Sequence, residues 1–65
     1  MGKDGIPSVG NNVTIFAGAK VFGNIRIGDV VTIGANSVVT HDCEDNGVYV
    51  GNPARLLRYN ENNIN

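Results

Sequence analysis

VGNNVT-IFAGAK-VFGNIR-IGDVVT-IGANSV-VTHDCE, residues 9–44, is one six-residue phrase repeated in phase. Its first positions are Val9, Ile15, Val21, Ile27, Ile33 and Val39, all β-branched. Such side chains are stiff at the first torsion and suit strands, so each hexad is expected to open on a short β segment. Four residues after each first position stand Val13, Ala19, Ile25, Val31, Ser37 and Cys43, small or apolar as a tight interior corner requires. Three residues after it stand Asn12, Gly18, Asn24, Val30, Asn36 and Asp42. All but Val30 are Gly, Asn or Asp, the residues that tolerate left-handed backbone angles.

The chain therefore turns once per hexad, always at the same phase. Three such turns close a triangular prism, with Val9 stacked on Ile27, Ile15 on Ile33 and Val21 on Val39. Two coils, residues 9–26 and 27–44, fit this register. A hexapeptide period is the signature of a parallel β-helix. The competing reading, an ordinary sheet with frequent turns, does not account for three positional rules recurring together. Residues 1–8 read as an entry loop, 9–50 as the repeat region, and 51–65 as a closing turn and tail. At the junction of the last two parts a strand Val48-Tyr49-Val50 leads to the turn Gly51-Asn52-Pro53. Ala54 to Arg58 starts either a strand or a short helix, and Asn60 to Asn65 reads as a frayed polar end.

Composition narrows the classes. A domain of 65 residues is marginal alone and needs disulfides, a metal or oligomerisation. The single cysteine, Cys43, excludes an internal disulfide, and one histidine with one cysteine builds no structural zinc site. Oligomerisation remains. A net charge of −1 with a pI near 5.5 is no footprint for nucleic acid. No apolar run is long enough to span a membrane. No apolar stretch marks a signal peptide, so the expected location is cytoplasmic, with Cys43 reduced.

The run Ile33-Gly34-Ala35-Asn36-Ser37-Val38-Val39-Thr40, followed by Gly51-Asn52-Pro53-Ala54-Arg55, resembles the end of hexapeptide-repeat acyltransferases. These include serine acetyltransferase-like proteins, galactoside and maltose acetyltransferases, and sugar O-acetyltransferases. The stretch from Gly5-Ile6-Pro7 to Ala17-Gly18-Ala19-Lys20 is most similar to the serine acetyltransferase-like branch. The resemblance implies an all-β, single-stranded left-handed parallel β-helix of about two to three coils. It also implies a homotrimer, with acetyl-CoA as acyl donor in a groove between neighbouring subunits. The acceptor is then a hydroxyl of a small molecule or sugar. Carried over by motif, Ala17 and Ala35 match positions whose backbone meets the pantetheine arm. Thr40 and His41 match a Thr-Lys pair beside the cofactor, and Arg55 and Arg58 match basic positions near the nucleotide phosphates.

Two departures bear on chemistry. His41 replaces the family's frequent lysine. Ile6 stands where true serine acetyltransferases place a histidine before the proline, which argues against L-serine as acceptor. The family's catalytic histidine falls upstream of residue 1, so no catalytic residue is assigned and the chain alone is expected to be inactive. The same absence leaves an expected exposed strand edge at Val9, Ile15 and Val21, to be paired with another chain or covered by residues 1–8. The alternative is a non-catalytic trimeric assembly or capping module.

The individual residues carry plainer readings too. His41 is either a base or a turn residue at a cofactor contact, the latter preferred. Cys43, at an interior position, is a structural thiol rather than a nucleophile. Arg55 and Arg58 either clamp phosphates or lie on a solvated tail. Phe16 and Phe22 follow inward residues and should point outward, onto a covered surface or as isolated exposed aromatics.

Overall fold

The computed structural model describes residues 6–60. The β-branched first positions lie in strands of two residues: β1 (Ser8–Val9), β2 (Thr14–Ile15), β3 (Lys20–Val21), β4 (Arg26–Ile27), β5 (Thr32–Ile33) and β6 (Val38–Val39). Two longer strands follow, β7 (Gly47–Gly51) and β8 (Ala54–Tyr59). There is no helix among the described residues.

The strands stack in three columns. β1 pairs with β4, β3 with β6, and β2-β5-β7-β8 form the largest sheet. The parallel registers Val9↔Ile27, Ile15↔Ile33 and Val21↔Val39 are those the hexads predict. Between the columns, Ile27, Val31, Ile33 and Val39 are fully buried, with Ile25, Cys43 and Tyr49 completing the core. Their burial supplies the main favourable term, about 1.5–3 kcal/mol for each large aliphatic side chain. The one buried polar side chain, Ser37, accepts the Gly51 N–H at 3.0 Å through Oγ. At the other end of the prism Val9 and Ile15, equivalent to buried Ile27 and Ile33, are 53% and 46% exposed. β1, β2 and β3 each pair on one side only among the described residues.

The corners follow the expected phase in part. Asn12, Gly18, Val30 and Asn36 have φ of 58°, 79°, 59° and 60°. Asn24 and Asp42 do not take the left-handed angle, which corrects the sequence reading at two corners. At the first, the preceding Gly23 takes it instead, with φ of 92°, because glycine adopts such angles without a Cβ penalty. At the second, the chain cuts the corner. Asp42 accepts the Arg26 N–H at 2.9 Å through Oδ1, and Cys43 bridges to Ile27. Thr32 then pairs with Val48 and Ile33 with Tyr49.

The stacking interval thus shortens from 18 residues, as between Asn11 and Asp29, to 16, as between Asp29 and Asp45. The repeat runs on through Asp45-Asn46-Gly47. It continues in shorter form, with Asn46 (φ 66°) taking the corner above Val30. Cys43 is buried as expected, but in the strand position over Ile27 rather than the corner over Ile25.

One corner is stitched by side chains. Asp29 Oδ1 accepts the Asn11 N–H and Asp45 Oδ1 accepts the Asp29 N–H, both at 2.8 Å. The same corner carries the backbone bonds Val30 N–H to Asn11 O and Asn46 N–H to Asp29 O, also 2.8 Å. These carboxylates occupy the space that a Cβ on Gly10 or Gly28 would need. Glycine at those positions is a condition of the stitch.

Ala54 to Tyr59 resolves as a strand, antiparallel to β7, not as a helix. Asn60 is not frayed: its N–H donates to Asn46 O and its Nδ2 to Val30 O. Residues 61–65, the rest of the expected tail, and 1–5 of the entry loop lie outside the described residues.

Candidate functional site

The six residues assigned by resemblance fall into three pairs. Ala17 and Ala35 occupy successive layers of the corner that joins the β2-β5 column to the β3-β6 column, and both are exposed. The Asn36 N–H donates to the Ala17 carbonyl at 3.0 Å, tying the layers together. Gly18 suits this corner, since it takes the left-handed angle and leaves room for the Asn36 side chain where a Cβ would stand. The corner therefore presents backbone, two methyl groups and the Asn36 amide, a low surface that an extended ligand can approach closely.

Thr40 and His41 follow β6 directly, at the corner the chain cuts. Both are exposed, with Thr40 Oγ1 and His41 Nδ1 3.1 Å apart. Cys43, two residues on, donates from Sγ to the His41 carbonyl at 3.7 Å. Burial, reinforced by the negative charge of Asp42, pushes the Cys43 thiol up to about 11. It stays protonated at neutral pH and is no nucleophile there.

Arg55 and Arg58 stand on β8 and are exposed. Residues three apart on a regular strand point to opposite faces. Here Val50 opposes Arg55, Tyr49 opposes Leu56 and Val48 opposes Arg58, which leaves Leu57 as an extra residue in a β-bulge. Opposed residues in an antiparallel pair share a face. Val48 and Val50 alternate with the core residue Tyr49 and stand outside the core cluster, Val48 itself buried and Val50 exposed, so both arginines lie on the face of β8 away from the core.

The site is an open surface, with no enclosed cavity among the described residues. Two guanidinium groups sit on one edge of the large sheet, whose far corner carries Ala17 and Ala35. β6, which leads into Thr40, packs against β7 and β8. No hydrogen bond links one pair to another among the described residues. Such a surface can position an elongated anion through backbone contacts and charge. It offers no group of metal-ligating side chains among the described residues. Phe16 and Phe22 are outward, 52% and 53% exposed. Sequence reasoning passed over the Glu44, Tyr59 and Asn60 cluster, in which Tyr59 donates to Glu44 Oε1 at 2.6 Å. The only signal for it was polarity, which a solvated tail shares.

Homologues of this chain are acetyltransferases: serine acetyltransferases and hexapeptide-repeat sugar O-acetyltransferases, matched over a short portion of their length. A serine acetyltransferase of Synechococcus elongatus is 51% identical over 51 residues, 78% of this chain and 21% of the relative. The crystal structure of Neisseria gonorrhoeae serine acetyltransferase superposes with a TM-score of 0.89 and 40% identity, over 97% of this chain and 25% of that one. A galactoside acetyltransferase in complex with coenzyme A superposes with a TM-score of 0.79 and 40% identity, over 82% of this chain and 26% of that one. The chain spans about a fifth of the length of the Synechococcus relative. No protein-family model matches it.

Proposed function

We propose that this chain is the acetyl-CoA-binding part of a hexapeptide acetyltransferase that acylates a hydroxyl of a small molecule or sugar. The observation that carries the reading is the outward presentation of Arg55 and Arg58 by the Leu57 bulge, on a fold shared with an acetyltransferase solved with coenzyme A. Arginine forks suit phosphate oxygens. The corner of Ala17 and Ala35 would receive the pantetheine arm along its backbone, and Thr40 with His41 would flank it. The prism is taken as left-handed, of about two to three coils, over residues 9–50, with 1–8 as entry loop and 51–65 as closing turn and tail.

In the reaction the acceptor oxygen loses its proton to a base, attacks the thioester carbonyl, and the CoA thiolate leaves. The chain's role is to hold the donor in line, since positioning accounts for much of such a barrier. No residue of this chain is assigned as that base. The only histidine here, His41, stands at a cofactor contact instead. The working assembly is proposed to be a cytoplasmic homotrimer, with each groove completed by a neighbour and with Phe16 and Phe22 covered there.

Calorimetric titration with CoA tests the reading. Arg55→Ala or Arg58→Ala is expected to weaken binding by about 1.5–3 kcal/mol, as for the loss of a charge-assisted bond. Affinity unchanged in both variants would remove the phosphate role.

A further inference from the structure

We propose that Tyr59 and Asn60 form a clasp that locks β8 over the edge of β7, closing the C-terminal edge of the β2-β5-β7 column against strand pairing with another chain.

A β-helix ends on a strand whose outer backbone groups are unpaired, and such an edge recruits further strands. β7 is the last strand of the parallel stack, paired to β5 on one side. Its other side is occupied by β8, which runs antiparallel and so cannot continue the coil. Two features blunt β8 in turn. The Leu57 bulge interrupts its ladder, and Arg55 and Arg58 are exposed along it. Bulges and charged side chains are established means of discouraging edge pairing.

β8 would nonetheless peel away if only its hairpin turn held it, since a two-stranded hairpin is marginal in water. Its far end is fixed by two residues. Tyr59 donates to Glu44 Oε1 at 2.6 Å. The Glu44 N–H donates to the hydroxyl of Tyr49 at 2.9 Å, and Tyr49 is a core residue. Asn60 donates its N–H to Asn46 O at 2.6 Å and its Nδ2 to Val30 O at 2.9 Å. Asn46 and Val30 stand at the same corner in successive layers, both in left-handed conformation. The clasp therefore spans two layers and ties the last strand to the corner stitched by Asp29 and Asp45.

The test is hydrogen exchange on the full chain, read residue by residue, alongside sedimentation. Tyr59→Phe removes one hydroxyl and leaves the ring, so the fold should persist. Val48–Val50 amides should lose protection by about tenfold, the equivalent of one strong hydrogen bond, while Ile27 and Ile33 keep theirs. Tyr59→Phe combined with Asn60→Ala should deepen the local loss and produce concentration-dependent species larger than the wild-type assembly. Glu44→Gln keeps an acceptor oxygen and should behave as wild type. Unchanged β7 protection in Tyr59→Phe would overturn the proposal. So would a loss spread evenly over all strands, or a double variant that stays at wild-type size. If the double variant does not fold, the exchange pattern of Tyr59→Phe decides alone.

Discussion

At the scale of single residues, Val30 is the clearest conflict between local preference and global fold. A β-branched residue at φ of 59° is a steric outlier, held there because the corner above and below it is built for Asn. Asn12 and Asn46 take the same angle in adjoining layers. Val30 is 39% exposed, so little burial opposes a change. Val30→Asn is expected to stabilise the chain by about 1 kcal/mol, the cost of the left-handed angle for a residue with a branched Cβ. Chemical denaturation would show it as a higher midpoint at unchanged slope. A lower midpoint would mean that Val30 packs against something that matters more than its backbone.

Cys43 makes a residue-scale claim about pH. Its thiol titrates near 11 when folded and at 9.0 in its ordinary state, chiefly because burial disfavours the thiolate. The unfolded chain therefore releases this proton first. Stability from Cys43 is whole below pH 9 and is lost as the pH rises through 11. Tyr59 adds in the same direction, since its hydrogen bond to Glu44 raises its titration above the ordinary tyrosine value of 10.0. Unfolding curves from pH 8 to 11.5 should fall more steeply for wild type than for Cys43→Val. Parallel curves would contradict the assigned burial.

At the scale of elements, the corner stitched by Asp29 and Asp45 is the most exacting construction. A Cβ on Gly28 would meet the Asp45 carboxylate and stand 2.7 Å from the Asp45 backbone nitrogen. Backbone atoms cannot rotate aside as a side-chain tip can. Gly28→Ala is expected to cost about 1–3 kcal/mol by overpacking. Gly23→Ala would meet nothing closer than Ile25 at 4.0 Å, so its effect comes from the positive angle alone. A thermal melt of the two variants separates crowding from strain.

Strand positions were legible from sequence because β-branched residues at a fixed period leave little choice of register. Val9, Ile15 and Val21 stack where the hexads put them. The shortened coil was not legible. Asp42 carries the right residue type for a turn, yet uses its carboxylate to accept the Arg26 N–H, and composition does not distinguish the two uses. Gly23 and Asn24 are both turn residues, so which of them bends had no sequence signature. The β8 strand was half-legible. Leu56 and Leu57 fit strand or helix, and pairing with β7 decides between them.

At the scale of the whole molecule, the three residue pairs of the candidate site were named from motif, not from spacing. The structure adds the reason why two arginines three residues apart share a face. Acetyl transfer, however, needs a base within reach of the acceptor proton, a contribution of about 10²- to 10⁴-fold. In a thiol-release assay with acetyl-CoA and serine or sugar acceptors, this chain alone is expected to show no enzymatic turnover. Turnover abolished by His41→Ala would instead make His41 the base. The small core also predicts self-association: sedimentation at micromolar concentration should show trimers, and a stable folded monomer would contradict the groove between subunits.

The central claim is that acetyl-CoA binds on the outer surface marked by these three pairs. Titrating CoA into the isotope-labelled chain and following backbone amide shifts tests it most directly. The account predicts that Ala17, Ala35, Thr40, His41, Arg55 and Arg58 move together, with one saturation curve. Shifts confined to the β1-β4 column, or no shifts at millimolar CoA, would contradict it.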